Sequence, residues 1–125
     1  MSDQHSKVRT DETLQRYNEV MSEREGSDVC PLCAVPSIAD YTHWRVIPND
    51  FPYDRLAITH HLLIPKRCCN DNELTADEHA ELINLRDTVL NDSYDSMVVN
   101  MPKFTSIKQH FHYHLIVLKE GLEGK

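Results

Sequence analysis

The sequence predicts an α+β fold, an antiparallel sheet of about five strands with two helices. Three observations predict it. Short apolar or alternating runs recur at 44–47, 56–58, 61–64, 97–100 and 110–117, the period-two pattern of strands. Two longer segments, 11–25 and 75–91, carry apolar residues at helical spacing. Their order, one helix, three strands, one helix, two strands, is not the alternation that builds a parallel sheet. With 125 residues, 40% of them hydrophobic, the chain can bury one core. Residues 1–9 read as a flexible tail, and 10–125 as a single domain.

Taken in order, the first helix runs from Asp11 to about Glu25. Leu14, Tyr17 and Met21 repeat on one face with Val20 beside them, and Gly26 is placed to end it. Cys30-Pro31-Leu32-Cys33 forms a turn. Trp44-Arg45-Val46-Ile47 is a strand, broken at Pro48-Asn49-Asp50. Leu56-Ala57-Ile58 and His61-Leu62-Leu63-Ile64 make one or two more, and Pro65 closes the second. Thr75-Ala76-Asp77-Glu78 matches a capping box, with Thr75 as N-cap and Glu78 reaching back. The helix it opens should run to about Asn91, burying Leu82, Leu85 and Val89 with support from Ile83 and Leu90. Met97 to Asn100 is a short strand, and a loop from Met101 to Gln109 leads into the last.

The formal net charge of −7 argues against general nucleic-acid binding. A small phosphorylated ligand remains compatible, because Lys66, Arg67, Lys103 and Lys108 flank the segments of interest. The longest apolar runs are far too short to span a bilayer. The polar N-terminus lacks a signal-peptide core, which points to the cytoplasm. There, the four cysteines at 30, 33, 68 and 69 read as metal ligands or free thiols rather than disulfides. A C-x-x-C turn aims two thiolates at one tetrahedral zinc. Thioredoxin-type redox sites share the spacing, but no βαβ-type strand leads into this turn and no clear helix follows it.

The final strand, His110-Phe111-His112-Tyr113-His114-Leu115-Ile116-Val117, carries most of the functional information. Alternation puts three imidazoles on one face, about 6.5–7 Å apart, and Phe111, Tyr113 and Leu115 on the other. Imidazole titrates near neutrality and serves as nucleophile, proton carrier and metal ligand. Such a face can act on one phosphate or hold one metal. A hydrolytic metal held by all three histidines would need carboxylates nearby, and no Asp or Glu occurs between Ser96 and Leu118.

This strand resembles the pattern of the histidine-triad superfamily, three histidines alternating with hydrophobic residues and followed by two more. Thr59-His60-His61-Leu62-Leu63-Ile64-Pro65-Lys66 resembles a second hallmark, a histidine followed by an apolar strand ending in Ile-Pro-Lys. Asn100, ten residues before the triad, is similar to an active-site asparagine, and Cys30-Pro31-Leu32-Cys33 to a zinc knuckle. Trp44 to Pro52 resembles the galactose-1-phosphate uridylyltransferase branch, where an Asn-Asp-Phe-type turn holds the nucleoside. The resemblance implies a nucleotide-binding hydrolase or nucleotidyltransferase working at an α-phosphorus through a covalent nucleotidyl-histidine. It also implies the homodimer with a shared sheet that is usual in the family. A nucleotide-binding scaffold without turnover is the alternative, since the loop at 101–109 lacks the glycines common before the triad.

On this resemblance His112 is the nucleophile. His114 and His60 bind and stabilise the phosphate, and His110 completes the triad. Asn49 and Asp50 hold the ribose, Phe51 and Ile47 line the base pocket, and Asn100 and Ser106 contact the nucleotide. The zinc ligands of relatives map to Cys30, Cys33, Cys68 and His110, with Cys68 where a histidine usually stands. Cys69 is the alternative third cysteine. The zinc is structural, tying the knuckle to the catalytic strand.

Overall fold

A computed structural model describes residues 7–24, 29–105 and 107–120. The first helix, α1, spans Asp11–Arg24. Its start is pinned rather than loose: the Thr10 N–H donates to the Asp54 carboxylate at 2.8 Å, and the Thr10 and Thr13 hydroxyls donate to the same group. A flexible tail was expected over 1–9, and its last two residues are held in the fold. Arg9 is buried, its Nε donates to the Phe51 carbonyl at 2.9 Å, and the Arg55 N–H donates to Val8 O at 3.0 Å. Gly26 lies outside the described residues.

The strands are β1 (Ala39–Asp40), β2 (Trp44–Pro48), β3 (Ala57–Pro65), β4 (Ser96–Val98) and β5 (Tyr113–Leu118), all antiparallel in the order β1-β2-β3-β5-β4. The two runs at 56–64 are one strand. A bulge between Ala57 and Thr59 shifts the register there and turns Ile58 to solvent.

The capping box forms as the sequence predicts: Thr75 Oγ1 accepts from the Glu78 N–H at 3.1 Å, and Glu78 Oε1 accepts from the Thr75 N–H at 2.8 Å. It opens α2, Ala76–Asp87. The helix does not run unbroken to Asn91. At Thr88 the backbone turns (φ −119°, ψ −99°) while its hydroxyl donates to the Asn84 carbonyl, and a short α3, Val89–Ser93, follows. The break changes which residues face inward. Leu82, Leu85 and Leu90 are buried, whereas Val89 and Ile83 are 39% and 47% exposed.

The sheet has two unlike faces. Trp44, Val46, Leu63 and Leu115 pack against α2 and α3 through Leu82, Leu85 and Leu90. The Trp44 indole N–H, fully buried, donates to Glu78 O at 2.9 Å, which ties β2 to the first turn of α2. On the other face Ile47, Leu62 and Ile64 pack with Leu32 of the C-x-x-C turn. His60 and His114 lie on this second face, on neighbouring central strands.

The histidine strand starts later than expected, at Tyr113. His110 to His112 lead into it outside any ladder, because the Phe111 N–H donates to Cys69 O at 2.8 Å instead of to a strand. The alternation survives the change: all three histidines are buried on one side, while Phe111 and Tyr113 pack on the α2 side.

Candidate active site and metal centre

The three triad histidines divide between two sites. His110 Nε2 lies 2.8 Å from Pro65 O, a carbonyl that only accepts, so the ring proton sits on Nε2. Its Nδ1 lone pair then faces Cys30 Sγ at 3.4 Å and Cys33 Sγ at 3.5 Å. Cys68 completes the group, and the four ligand atoms all lie within 4.8 Å of one another. The cluster could bind a metal. Cys69, the alternative, is buried elsewhere and is not in it. Among the described residues His110 lines neither cavity beside the other histidines. Of its two expected roles the geometry serves the ligand role, not the catalytic one.

The thiols feel each other. Burial, then the neighbouring Cys30 and Cys33 sulfurs, pushes Cys68 up to about 12. Burial also raises Cys33. At Cys30 burial opposes, but hydrogen bonds from the Leu32 and Cys33 main chain and from the neighbouring thiols bring the net shift downward. Three thiols crowded this closely favour a cation among them as thiolates. Arg45 holds the turn in place. Its guanidinium donates to the carbonyls of Leu32 at 3.0 Å, Cys33 at 3.1 Å and Val35 at 2.5 Å. Nothing in the C-x-x-C spacing pointed to Arg45, since the contact crosses from β2.

His112 stands at a cleft. Its Nδ1 is 2.9 Å from the His110 carbonyl, so the proton is on Nδ1 and the lone pair on Nε2. Among the described residues nothing bonds Nε2. Burial pushes His112 below the ordinary histidine value, against the opposing effect of the bond to His110 O, and keeps the ring neutral. His112 lines two cavities. One includes Tyr17, Leu32, Asn49, Asp50, Phe51 and His114. The other is lined by Val99, Met101, Pro102, Ile107, Phe111 and neighbours. Asn100 borders both.

Behind His112 lies a buried polar array. The Tyr53 N–H donates to His60 Nδ1 at 2.9 Å. His60 Nε2 is 2.8 Å from His114 Nδ1. The Asn100 amide lies 3.2 Å from His114 Nε2 and 2.7 Å from the Tyr53 hydroxyl. Burial, reinforced by other charges nearby, holds His60 at about 3 and His114 at about 2. Both rings are neutral. His60, expected at the phosphate, is not among the residues lining either cavity. Both its nitrogens are engaged, and it backs His114. Ile47 does not line the cleft either, being fully buried in the sheet. Asn49, Asp50, Phe51, Asn100 and His114 do line it. Asn49 Oδ1 accepts from the Phe51 N–H at 2.9 Å, which shapes the turn. Ser106 lies outside the described residues.

Among the cleft residues that sequence reasoning missed are Arg9, Tyr17 and Tyr53. Arg9 stacks its guanidinium 4.2 Å from the Tyr17 ring and 5.0 Å from the Tyr53 ring. The helical spacing identified Tyr17 as apolar-face but gave no sign that this face covers the cleft.

No protein-family model matches the sequence, and no curated protein sequence does. Among solved structures, the chain is similar to one titled "Hit Like Protein", with a TM-score of 0.50 and 16% identity over 82% of this chain and 96% of that one. The fold is HIT-like. At this identity the likeness speaks for the HIT-like architecture, and the chemistry must be argued from the side chains. Among the described residues no helix is long and apolar enough to cross a membrane.

Proposed function

We propose that this HIT-like protein transfers or hydrolyses a nucleotidyl group through a covalent nucleotidyl-histidine on His112. One observation carries the reading. His112 is neutral, its Nδ1–H is held by a main-chain carbonyl, and its Nε2 lone pair, unengaged among the described residues, lies between two cavities. That is the state an imidazole nucleophile requires. The cavity with Asn49, Asp50 and Phe51 takes the nucleoside, Asp50 offering a carboxylate to the ribose hydroxyls and Phe51 an aromatic wall. The turn at 49–51 keeps the resemblance to the uridylyltransferase branch in play. The second cavity takes the leaving group or acceptor. Its Lys108 ammonium donates to the Pro102 and Thr105 carbonyls at 2.6 and 2.9 Å, so it braces the loop in place of absent glycines.

In the first step Nε2 attacks the α-phosphorus and the bond to the leaving group breaks, leaving a phosphoramidate on His112. In the second step water or another hydroxyl displaces the ring. Charge gathers on the non-bridging oxygens in both, and buried donors at Asn100 and His114 are placed to meet it.

For the four-ligand cluster we propose structural zinc. Three thiolates and one imidazole form a closed tetrahedral set. The ring proton on Pro65 O leaves His110 Nδ1 as the donor atom, as a metal-ligating histidine needs. The same residue's carbonyl orients His112, so the ion would steady the nucleophile without touching substrate.

Incubation with nucleoside phosphoramidates and dinucleoside polyphosphates, quenched at alkaline pH because the adduct is acid-labile, should give a mass increase of one nucleotidyl group on His112. His112→Ala should abolish both adduct and turnover. Tight nucleoside monophosphate binding with no adduct on any substrate would instead make the protein a binding module.

A further inference from the structure

The proton inventory of the buried array has one solution among neutral side chains. A main-chain N–H only donates, so Tyr53 N–H makes His60 Nδ1 an acceptor. The His60 proton then sits on Nε2 and is donated to His114 Nδ1. The His114 proton is forced onto Nε2, which faces the Asn100 amide at 3.2 Å. An amide nitrogen there would set two donors against each other. Amide oxygen and nitrogen are assigned from the network, and the network demands the oxygen. Turned that way, Asn100 Oδ1 accepts from His114 Nε2–H and, across the 2.7 Å separation, from the Tyr53 hydroxyl. The Asn100 NH₂ is released toward the cleft that Asn100 lines.

One residue therefore touches the array at both ends. The Tyr53 ring also lies against both histidines, stacked on His114 at 5.0 Å and 22° and tilted over His60 at 4.4 Å. Its main chain is locked, Tyr53 O accepting from the N–H groups of Leu56 and Ala57. Tyr53 is 5% exposed. A burial of that degree makes any mispaired proton costly, so the arrangement is held tightly.

We propose that Tyr53 is a positioning residue. Its main-chain N–H sets the tautomers of His60 and His114, and its hydroxyl joins His114 Nε2–H in holding Asn100 Oδ1, so that the two amide N–H groups face a phosphate oxygen. The placement of the phosphate rests on the nucleotidyl-transfer reading. The tautomers and the amide orientation do not.

The test has two arms. In ¹⁵N-labelled protein without substrate, two-bond ¹H–¹⁵N spectra should show His60 and His114 both in the Nε2–H form at pH 7. A Nδ1–H form at either overturns the proposal, whatever the protein catalyses. In Tyr53→Phe the tautomers should persist, because the main-chain N–H is unchanged, while the Asn100 side-chain NH₂ pair should broaden or double as the amide turns. An unchanged, single Asn100 pair overturns the role of the hydroxyl. In turnover, Tyr53→Phe should lower kcat about tenfold, the effect of one hydrogen bond, with KM within about twofold and the His112 adduct still detectable. Equal kcat, or a loss confined to KM, overturns the positioning role. Absence of any adduct in the unmutated protein defeats the function reading alone.

Discussion

Replacing Glu78 by Gln should remove a measurable, pH-dependent part of this protein's stability. Glu78 is 3% exposed. Its carboxylate accepts from Arg67 Nε at 3.0 Å and Nη2 at 2.9 Å, and from the Thr75 N–H at 2.8 Å. Through Arg67 it joins the start of α2 to the segment that carries Cys68. These contacts, the Arg67 pairing first, hold the carboxyl at about 2, against 4.5 for a free glutamate. A folded-state value below the unfolded one stabilises above the unfolded pKa and is lost as pH falls toward the folded pKa. Between those two values the shift corresponds to at most about 3 kcal/mol. Arg67 is half exposed, and solvent screening brings the working figure to about 1–2 kcal/mol. Urea unfolding of both proteins at pH 7.5, 5.5 and 3 is the assay. The difference between them should be about 1–2 kcal/mol and equal at the two higher pH values, then fall to less than about half at pH 3. A difference that is absent at pH 7.5, or that stays constant down to pH 3, would refute the reasoning.

Two further outcomes follow from other parts of the molecule. Cys30→Ser should abolish a metal content of about one zinc per chain by elemental analysis, while His112→Ala should retain it; zinc that survives Cys30→Ser would place the metal elsewhere. Leu63→Ala, at a fully buried position between β3 and the helices, should cost about 2–5 kcal/mol in urea unfolding and leave metal content unchanged, since the cluster lies on the other face.

Much of the architecture was legible because it is local. The capping box at Thr75 and Glu78 is a four-residue pattern whose partners are set by helix geometry, and it forms as written. The alternation at 110–117 was readable for the same reason. It assigned faces correctly even though the ladder begins only at Tyr113. The break of the helix at Thr88 was not legible, because a Thr hydroxyl turning back on its helix is one choice among several for that residue. Arg9, read as part of a tail, was not legible as a fixed residue because it finds Phe51, 42 residues on, and the rings of Tyr17 and Tyr53.

Spacing alone thus marked two groups, histidines on one face and two thiols turned toward each other, and the family resemblance added an asparagine nearby. Spacing could not assign partners, because the nitrogens of an imidazole take their roles from whatever the fold brings within 3 Å. Pro65 O gives His110 to the cysteines, His110 O leaves the His112 lone pair on Nε2, and Tyr53 encloses His60 and His114. These contacts span 45 residues in the first case and two in the second. The short one was foreseeable as a carbonyl of some kind, and the long one exists only once β3 and the triad segment are packed together.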